Sequence, residues 1–424
     1  MRRSSASFDL IVLPLTESLG ASATGFSGLR EDYRLTTEAF QEYWRALQPG
    51  GFLSLHLYLL PPPRGELRLA STVRRALELE GKPPADHLMA FRTWGTFSLL
   101  VKKDSVGARE IENLKDFCRQ MRFDLVYYPG ISPGEVNLYN RFPRPIYFEG
   151  LHNLLSEGEI YYSRYPFDLS PATDDRPFFH SFFRWKYWQE IYRLAGGKWQ
   201  ILLEGGFLVP VVFFLALLLS VLFILLPVFF KKKEEGGIAG KFPFAWLAYF
   251  SALGFGFMFV EISLIQKFIL FLGHPIYSVS MVIFSLLVSA GLGSRFSLRL
   301  DARSSRELKL LLFFLSGLLF ASAFLYPRIL SFFQGSPAFL RWFLTFALIG
   351  TLGFFLGMPF PMGIRRAASR GQVFVSWGWC ANGCASVLGA ILPVLVALIW
   401  GFQVVFFLSG LCYLGALLAV WKEG

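Results

Sequence analysis

An α/β domain followed by an all-helical membrane domain is the fold class the sequence predicts, and three observations predict it. Residues 1–198 alternate strand-like with helix-like patterns. From Gly206 onward the chain becomes a series of long uncharged runs. Taken whole, 424 residues with 54% hydrophobic side chains, 47 Phe and only 17% charged residues are too apolar for an ordinary soluble protein, as is the mean hydropathy of +0.46.

The elements of the first domain follow in order. "FDLIVLPL" and "GFLSLHLYL" are continuous apolar runs of strand length, whereas "TTEAFQEYWRAL" and "ELRLASTVRRALELEG" repeat apolar residues three and four apart, as amphipathic helices do. Strands alternating with helices predict a parallel sheet. Beyond them, "HLMAFRTWGTFSLLVKK" reads as a hairpin, "AREIENLKDFCRQM" as a helix and "FDLVYYPG" as a strand. "FFHSFFRWKYWQEIYRL" interleaves aromatics with Arg and Lys, which suits a membrane interface. Roughly 190 residues suffice to bury one core.

Residues 199–424 form the second domain. "GFLVPVVFFLALLLSVLFILLPVFF" has no charge in 25 residues and ends on "KKKEE". Further spans are predicted at 243–266, 275–294, 310–327, 339–360, 377–400 and 402–421, seven in all. Their connections carry four, one, five, two, three and no basic residues in turn. That alternation puts the first, third and fifth connections in the cytoplasm of a multi-pass inner-membrane protein. Much of the net charge of +11 is thereby a topological signal and predicts no nucleic-acid partner. Arg184, Lys186, Arg193 and Lys198 flank the first span on its other side, so the sidedness of the first domain stays open. Four cysteines, three of them in apolar segments, make no disulfide framework.

"FDLIV", followed about forty residues later by "LQPGGFLSL", is the order of the fourth and fifth strands in a class I methyltransferase-like sheet. With "SPATDDRPFF", "GFGFMFVEISLIQKFILFLGHPIYS", "GMPFPMGIRR" and "WGWCANGCASVLGAILPVL", the chain resembles bacterial multi-span membrane proteins that fuse a spermidine synthase-like domain to transmembrane helices. The resemblance covers nearly the whole chain, and it implies a partial Rossmann-like domain, that of an N-terminally truncated member. No G-x-G-x-x-G follows a strand, so the loop whose amides would face a cofactor is missing. This chain alone is therefore expected to hold no cofactor; a complete domain would take S-adenosylmethionine or its decarboxylated form. Where aminopropyltransferases carry an Asp after the strand and another three residues on, this chain has Pro14 and Glu17. Proline cannot accept a proton, which leaves Glu17 as a cation ligand and the catalytic residues unassigned.

Further candidates come from the residues themselves. Glu17, Asp32, Tyr33 and Glu38 are the candidate substrate-binding set for a polyamine or another small amine; for the last three, a capped helix start is the competing reading. His56 in "LSLHLYL" reads as a satisfied strand histidine. Asp174, Asp175 and Arg176 read as a turn held by Asp side chains, with a metal or amine site as the other reading; no metal centre is expected. Glu261 is the most informative residue in the membrane, because an intramembrane carboxylate marks a functional site unless it is paired. His274 and Asn382, from other spans, are its candidate partners. "GTLGFFLG" and "CANGCASVLGA" offer small residues for helix packing, and Pro359 and Pro361 break a helix before Arg365.

Three functions follow. The first is a membrane-tethered spermidine synthase-like protein that is not competent alone. The second is an aminopropyl or methyl transferase, completed by a partner chain that supplies the missing half. The third is a transporter-like core around Glu261 with a regulatory soluble domain. A homo-oligomer is the other assembly left open.

Overall fold

The computed structural model describes residues 7–15, 30–59, 61–194, 208–226, 244–301 and 305–422. The chain divides into two compact units, Met1–Leu208 and Val209–Gly424.

The first unit is built on a five-stranded mixed sheet: β1 (Phe8–Leu13), β2 (Leu47–Tyr58), β3 (Leu88–Arg92), β4 (Thr96–Lys102) and β5 (Asp124–Tyr127), in the order β1-β2-β4-β3-β5. β1 runs parallel to β2, with Val12 opposite Ser54. β4 is antiparallel to both β2 and β3, and β5 is antiparallel to β3. The predicted parallel sheet is thus realised only in part: β1, β2 and β3 share one direction, and the β3–β4 hairpin folds back so that β4 lies between β2 and β3. Helix α1 (Thr37–Ala46) joins the parallel pair, as a crossover must. Gly50 is at φ +76°, and Gly51 lies where a Cβ would come within 3.0 Å of the Phe8 carbonyl oxygen. The "PGG" turn can therefore be built only with glycine at these two places.

Helix α2 (Gly65–Leu79) and helix α4 (Ile146–Glu157) join α1 in covering one face of the sheet, where Leu53, Leu55, Leu57, Leu88, Ala90, Phe97 and Leu99 form the main core. Helix α3 (Ala108–Met121) packs its Leu114 and Cys118 with Met89 and Tyr128 on a second, smaller core. α5 (Glu159–Arg164) and α6 (Trp188–Leu194) complete the unit. One region of the sheet is left uncovered by the described residues. Leu10 and Val12 on β1 are 58% and 49% exposed while Ile11 between them is buried, so β1 is apolar on both faces and paired along one edge. Apolar-on-both-faces is the pattern of an interior strand.

The second unit is helical: α7 (Leu208–Ser220, continuing as a π turn over Val221–Leu225), α8 (Phe244–Leu272), α9 (Pro275–Phe296), α10 (Ser305–Phe332), α11 (Ala338–Leu356), α12 (Pro359–Ala368), α13 (Gln372–Trp400) and α14 (Phe402–Trp421). Among the described residues six helical segments are long and apolar enough to cross a bilayer, with α11 and α12 counted as one span. The chain is a multi-pass membrane protein. Six of the seven predicted spans are among these; the other, near 206–230, is helical through its described part, and positions 206, 207 and 227–230 lie outside the described residues.

Helix α9 shows what solvent the unit is made for. Its buried face carries Ser278, Ser285, Ser289 and Gly293 with only Val282 and Leu286 as larger apolar members, whereas Phe284, Leu287 and Leu292 on the outside are 56%, 65% and 58% exposed. Greasy outside and small or polar inside is the reverse of a soluble helix and the expected pattern in lipid, where apolar burial drives nothing and close backbone approach does. The buried hydroxyls mostly bond the preceding turn of their own helix: Ser289 to the Ser285 carbonyl, Ser316 to Leu312 at 2.8 Å and Thr345 to Arg341 at 2.7 Å.

Small residues set the helix contacts, as the sequence implied, though not all of them do. A Cβ at Gly293 would overlap the Phe354 carbonyl, and Cβ atoms at Gly353 and Gly357 would overlap Ser289 and Ala290, so α9 and α11 touch backbone to backbone. Gly350 and Gly383 face open space. On α8, a Cβ at Gly254 would come 2.6 Å from the Asn382 carbonyl of α13. Pro359 and Pro361 act as predicted: α11 stops at Leu356 and α12 restarts at Pro359, whose carbonyl accepts the Tyr249 hydroxyl at 2.7 Å. Pro327 does not end α10, which runs on to Phe332 past the expected end; helices in lipid tolerate an interior proline where neighbours take up the freed carbonyl.

Candidate functional site

The polar residues of the first unit gather where the start of α1 meets the segment 168–181. Asp32 caps the single turn Tyr33–Leu35 by accepting the Arg34 amide at 3.1 Å, and its two oxygens take the Arg34 Nε and Nη2 at 2.8 and 2.6 Å. Burial pushes the Asp32 carboxyl up, but the Arg34 hydrogen bonds and charge outweigh it and hold the group below the usual range. Thr36 caps α1 through the Ala39 amide and donates to Asp174 Oδ1 at 2.7 Å, while Glu38 accepts the Asp174 amide at 2.9 Å. The two segments are also joined by the Asp32 amide on the Pro177 carbonyl and the Thr37 amide on that of Ala172, both 2.8 Å.

Three of the four candidate substrate-binding residues, Asp32, Tyr33 and Glu38, therefore sit together with Asp174 and Asp175. Glu17 lies outside the described residues. Asp32 and Glu38 both hold backbone amides, so part of their role is architectural. Tyr33 donates to Glu31 at 3.4 Å. Burial drives its hydroxyl far above the ordinary tyrosine range, and the negative charges of Glu31, Asp174 and Asp175 add to that. A neutral hydroxyl ringed by carboxylates is chemically suited to a cation such as an ammonium group. Among the described residues no group of three or more His, Cys, Asp or Glu is placed to hold a metal ion.

Asp174–Arg176 is a turn, as the sequence suggested, but the bonds that close it come from Thr173 rather than from the Asp side chains: the Arg176 amide reaches the Thr173 carbonyl at 3.0 Å and its hydroxyl at 3.1 Å. Its arginine, however, turns to Asp168, at 2.6 Å, and to Ser170. Asp168 also faces Arg68, which is fully buried and donates to the Ser170 and Ser181 carbonyls at 3.1 and 2.6 Å. Burial pushes the Arg68 guanidinium down to about 10, opposed by the Asp168 charge. Sequence reasoning missed this clamp, because a hundred positions separate its members and "RLAS" gives no sign that its arginine points inward.

At the carboxyl ends of β1 and β2, where an α/β sheet places its ligands, a small cleft is lined by Leu13, Pro14, Leu55, Leu57 and Leu69, with Arg34 and His56 as its polar members. His56 is satisfied on both ring nitrogens, by Ser54 and Ser98 at 2.9 Å each, and burial lowers its basicity. Among the described residues, the lining offers no carboxylate for the ribose hydroxyls of S-adenosylmethionine.

In the second unit Glu261 lies a little past the middle of α8, half-buried, with no hydrogen bond or ion pair among the described residues. The structure gives its two candidate partners other roles. Asn382 donates to the Phe250 carbonyl at 3.1 Å, eleven positions or about 16 Å up the helix from Glu261. His274 caps α9, its Nδ1 accepting the Ile276 amide at 3.3 Å, beyond the far end of α8. The three residues do not form one site. Compared with protein-family profiles, with curated proteins and with solved structures, the chain has no match.

Proposed function

We propose that the first unit is the second half of a spermidine synthase-like, class I methyltransferase-like sheet, carried by the spans of a bacterial inner-membrane protein, and that this polypeptide by itself transfers neither aminopropyl nor methyl groups. The observation that carries the proposal is the strand order. Two parallel strands joined by a helix continue through an antiparallel β4 into a third strand of the same direction, as the closing half of that sheet does. The open, two-sided apolar β1 is where an opening half, in the same or a partner chain, would add its strands. The acidic surround of Tyr33 would then face a polyamine or another small amine. Pro14 in the position of the proton acceptor and the lack of a carboxylate among the described lining residues of the cleft both support inactivity alone. Calorimetric titration of the purified protein with S-adenosylmethionine and its decarboxylated form, together with a putrescine turnover assay, tests this. We expect no saturable heat and no spermidine; either one overturns the reading.

Glu261 favours a second reading, a transport core. A carboxylate left unpaired in the membrane costs several kcal/mol unless it serves a cavity or a cation. If it serves transport, Glu261→Gln lowers polyamine uptake into proteoliposomes at least tenfold while leaving protein incorporation unchanged. Equal uptake by the parent and the variant would remove the reading.

A further inference from the structure

The Arg-rich end of the helical unit, where α8 and α13 begin and α12 packs against them, holds a set of buried donors that no acceptor among the described residues matches. Trp246, in the first turn of α8, is 5% exposed, and its indole Nε1 has no hydrogen-bond partner among the described residues. Arg365 Nε and Arg366 Nη1 on α12 are likewise buried without one. Arg365 already spends Nη2 on the Ser297 carbonyl at the end of α9, at 2.6 Å, which fixes its guanidinium in place. The three donors belong to one packed corner. Gly363, three residues before Arg366 on the same helix, lies where a Cβ would come 2.5 Å from Tyr249 and 3.2 Å from Phe250, and Trp246 stacks on Phe250 with ring centroids 5.8 Å apart. The Arg370 guanidinium lies 5.4 Å from the centre of the Trp246 ring.

Among the described residues this corner is rich in cations and N–H groups and poor in anions. α12 and α13 contain no Asp or Glu, and the first acid of α8 is Glu261, fifteen residues or about 22 Å beyond Trp246. Glu307, in the first turn of α10, accepts the Asp301 amide at 2.7 Å. Buried guanidinium and indole donors without acceptors are each destabilising, charged ones most. Three together, all donors, describe a receptor for an anion. Guanidinium forks suit phosphate oxygens, and the ends of membrane spans lie at the depth of lipid headgroups.

We propose that this corner binds the phosphate of an anionic phospholipid headgroup, with Arg365 and Arg366 gripping the phosphate oxygens, the Trp246 indole donating a further hydrogen bond and Arg370 closing over the ring. The test is thermal unfolding of the full chain in neutral detergent during titration with short-chain phosphatidylglycerol, phosphatidylcholine or inorganic phosphate. Phosphatidylglycerol is expected to raise the melting temperature saturably and phosphatidylcholine to do so at least tenfold more weakly. Arg366→Gln and Trp246→Phe should each weaken the phosphatidylglycerol response about tenfold, while Arg328→Gln, in the last turns of α10, should not. Inorganic phosphate acting with the same dependence on Arg366 would keep the site and make free phosphate its ligand. Equal responses to the two lipids, or a phosphatidylglycerol response unchanged in Arg366→Gln, would overturn it. Should Arg366→Gln fail to fold, Trp246→Phe, which keeps the ring, decides by the same criterion.

Discussion

Gly293→Ala, the addition of a single methyl group, is expected to destabilise the helical unit by about 3 kcal/mol, the upper end of ordinary overpacking costs. A methyl group there would occupy the place of the Phe354 carbonyl, and the obstacle is backbone, which no rotamer change can move aside. α9 and α11 would have to separate, and the contacts of Gly353 with Ser289 and Gly357 with Ala290 would be lost with them. Gly291→Ala, two residues earlier on the same helix, supplies the control, since nothing lies within 4 Å of its added carbon. Alanine is the better helix former by about 1 kcal/mol, so that variant should be neutral or slightly stabilised. Urea unfolding in mixed micelles, followed by circular dichroism, separates the two; equal midpoints would mean that the close crossing of α9 and α11 is not what holds the unit together.

The second large effect belongs to Arg68. Arg68→Met keeps most of the volume but removes the donors to Ser170 and Ser181 and takes from Asp168 one of the two guanidinium groups that face it, leaving Arg176 and the Ser170 hydrogen bonds. Breaking a buried ion pair from one side costs about 3–5 kcal/mol, which for a unit of this size is a large share of its stability. The expected result is a lower melting temperature together with fast amide exchange across 168–181 in the full chain, while β2 and β4 stay protected. An unchanged exchange pattern would show that the segment is held by its backbone bonds to Asp32 and Thr37 rather than by the guanidinium.

Local pattern made much of this fold legible. Each of "FDLIVL", "LMAFR" and "TFSLLVK" is an apolar run between turn residues, and each forms a strand; "TEAFQEYWRA" and "AREIENLKDFCRQM" carry the helical period and form helices. Helix α4 escaped notice because Gly150 interrupts its period; the glycine is there because Leu67 of α2 would crowd any Cβ to 3.0 Å. The mixed sheet was not legible either, since alternation of strands and helices does not say that a hairpin will insert its second strand between two others. In the candidate site, Asp32, Tyr33 and Glu38 stood out as a polar group after a strand. Their junction with Asp174 depends on contacts more than 130 positions apart, which no local pattern encodes. Glu261 has no hydrogen-bond or ion-pair partner among the described residues, and the residues nominated for it, His274 and Asn382, are engaged in capping and helix contact.

The serine and threonine hydroxyls of the spans look back to their own preceding turns more often than across to a neighbour. Each such segment can leave the translocon and rest singly among the acyl chains with several of its hydroxyls already provided for. Assembly can then wait for the glycine faces to find one another, so that biogenesis separates into insertion first and docking later.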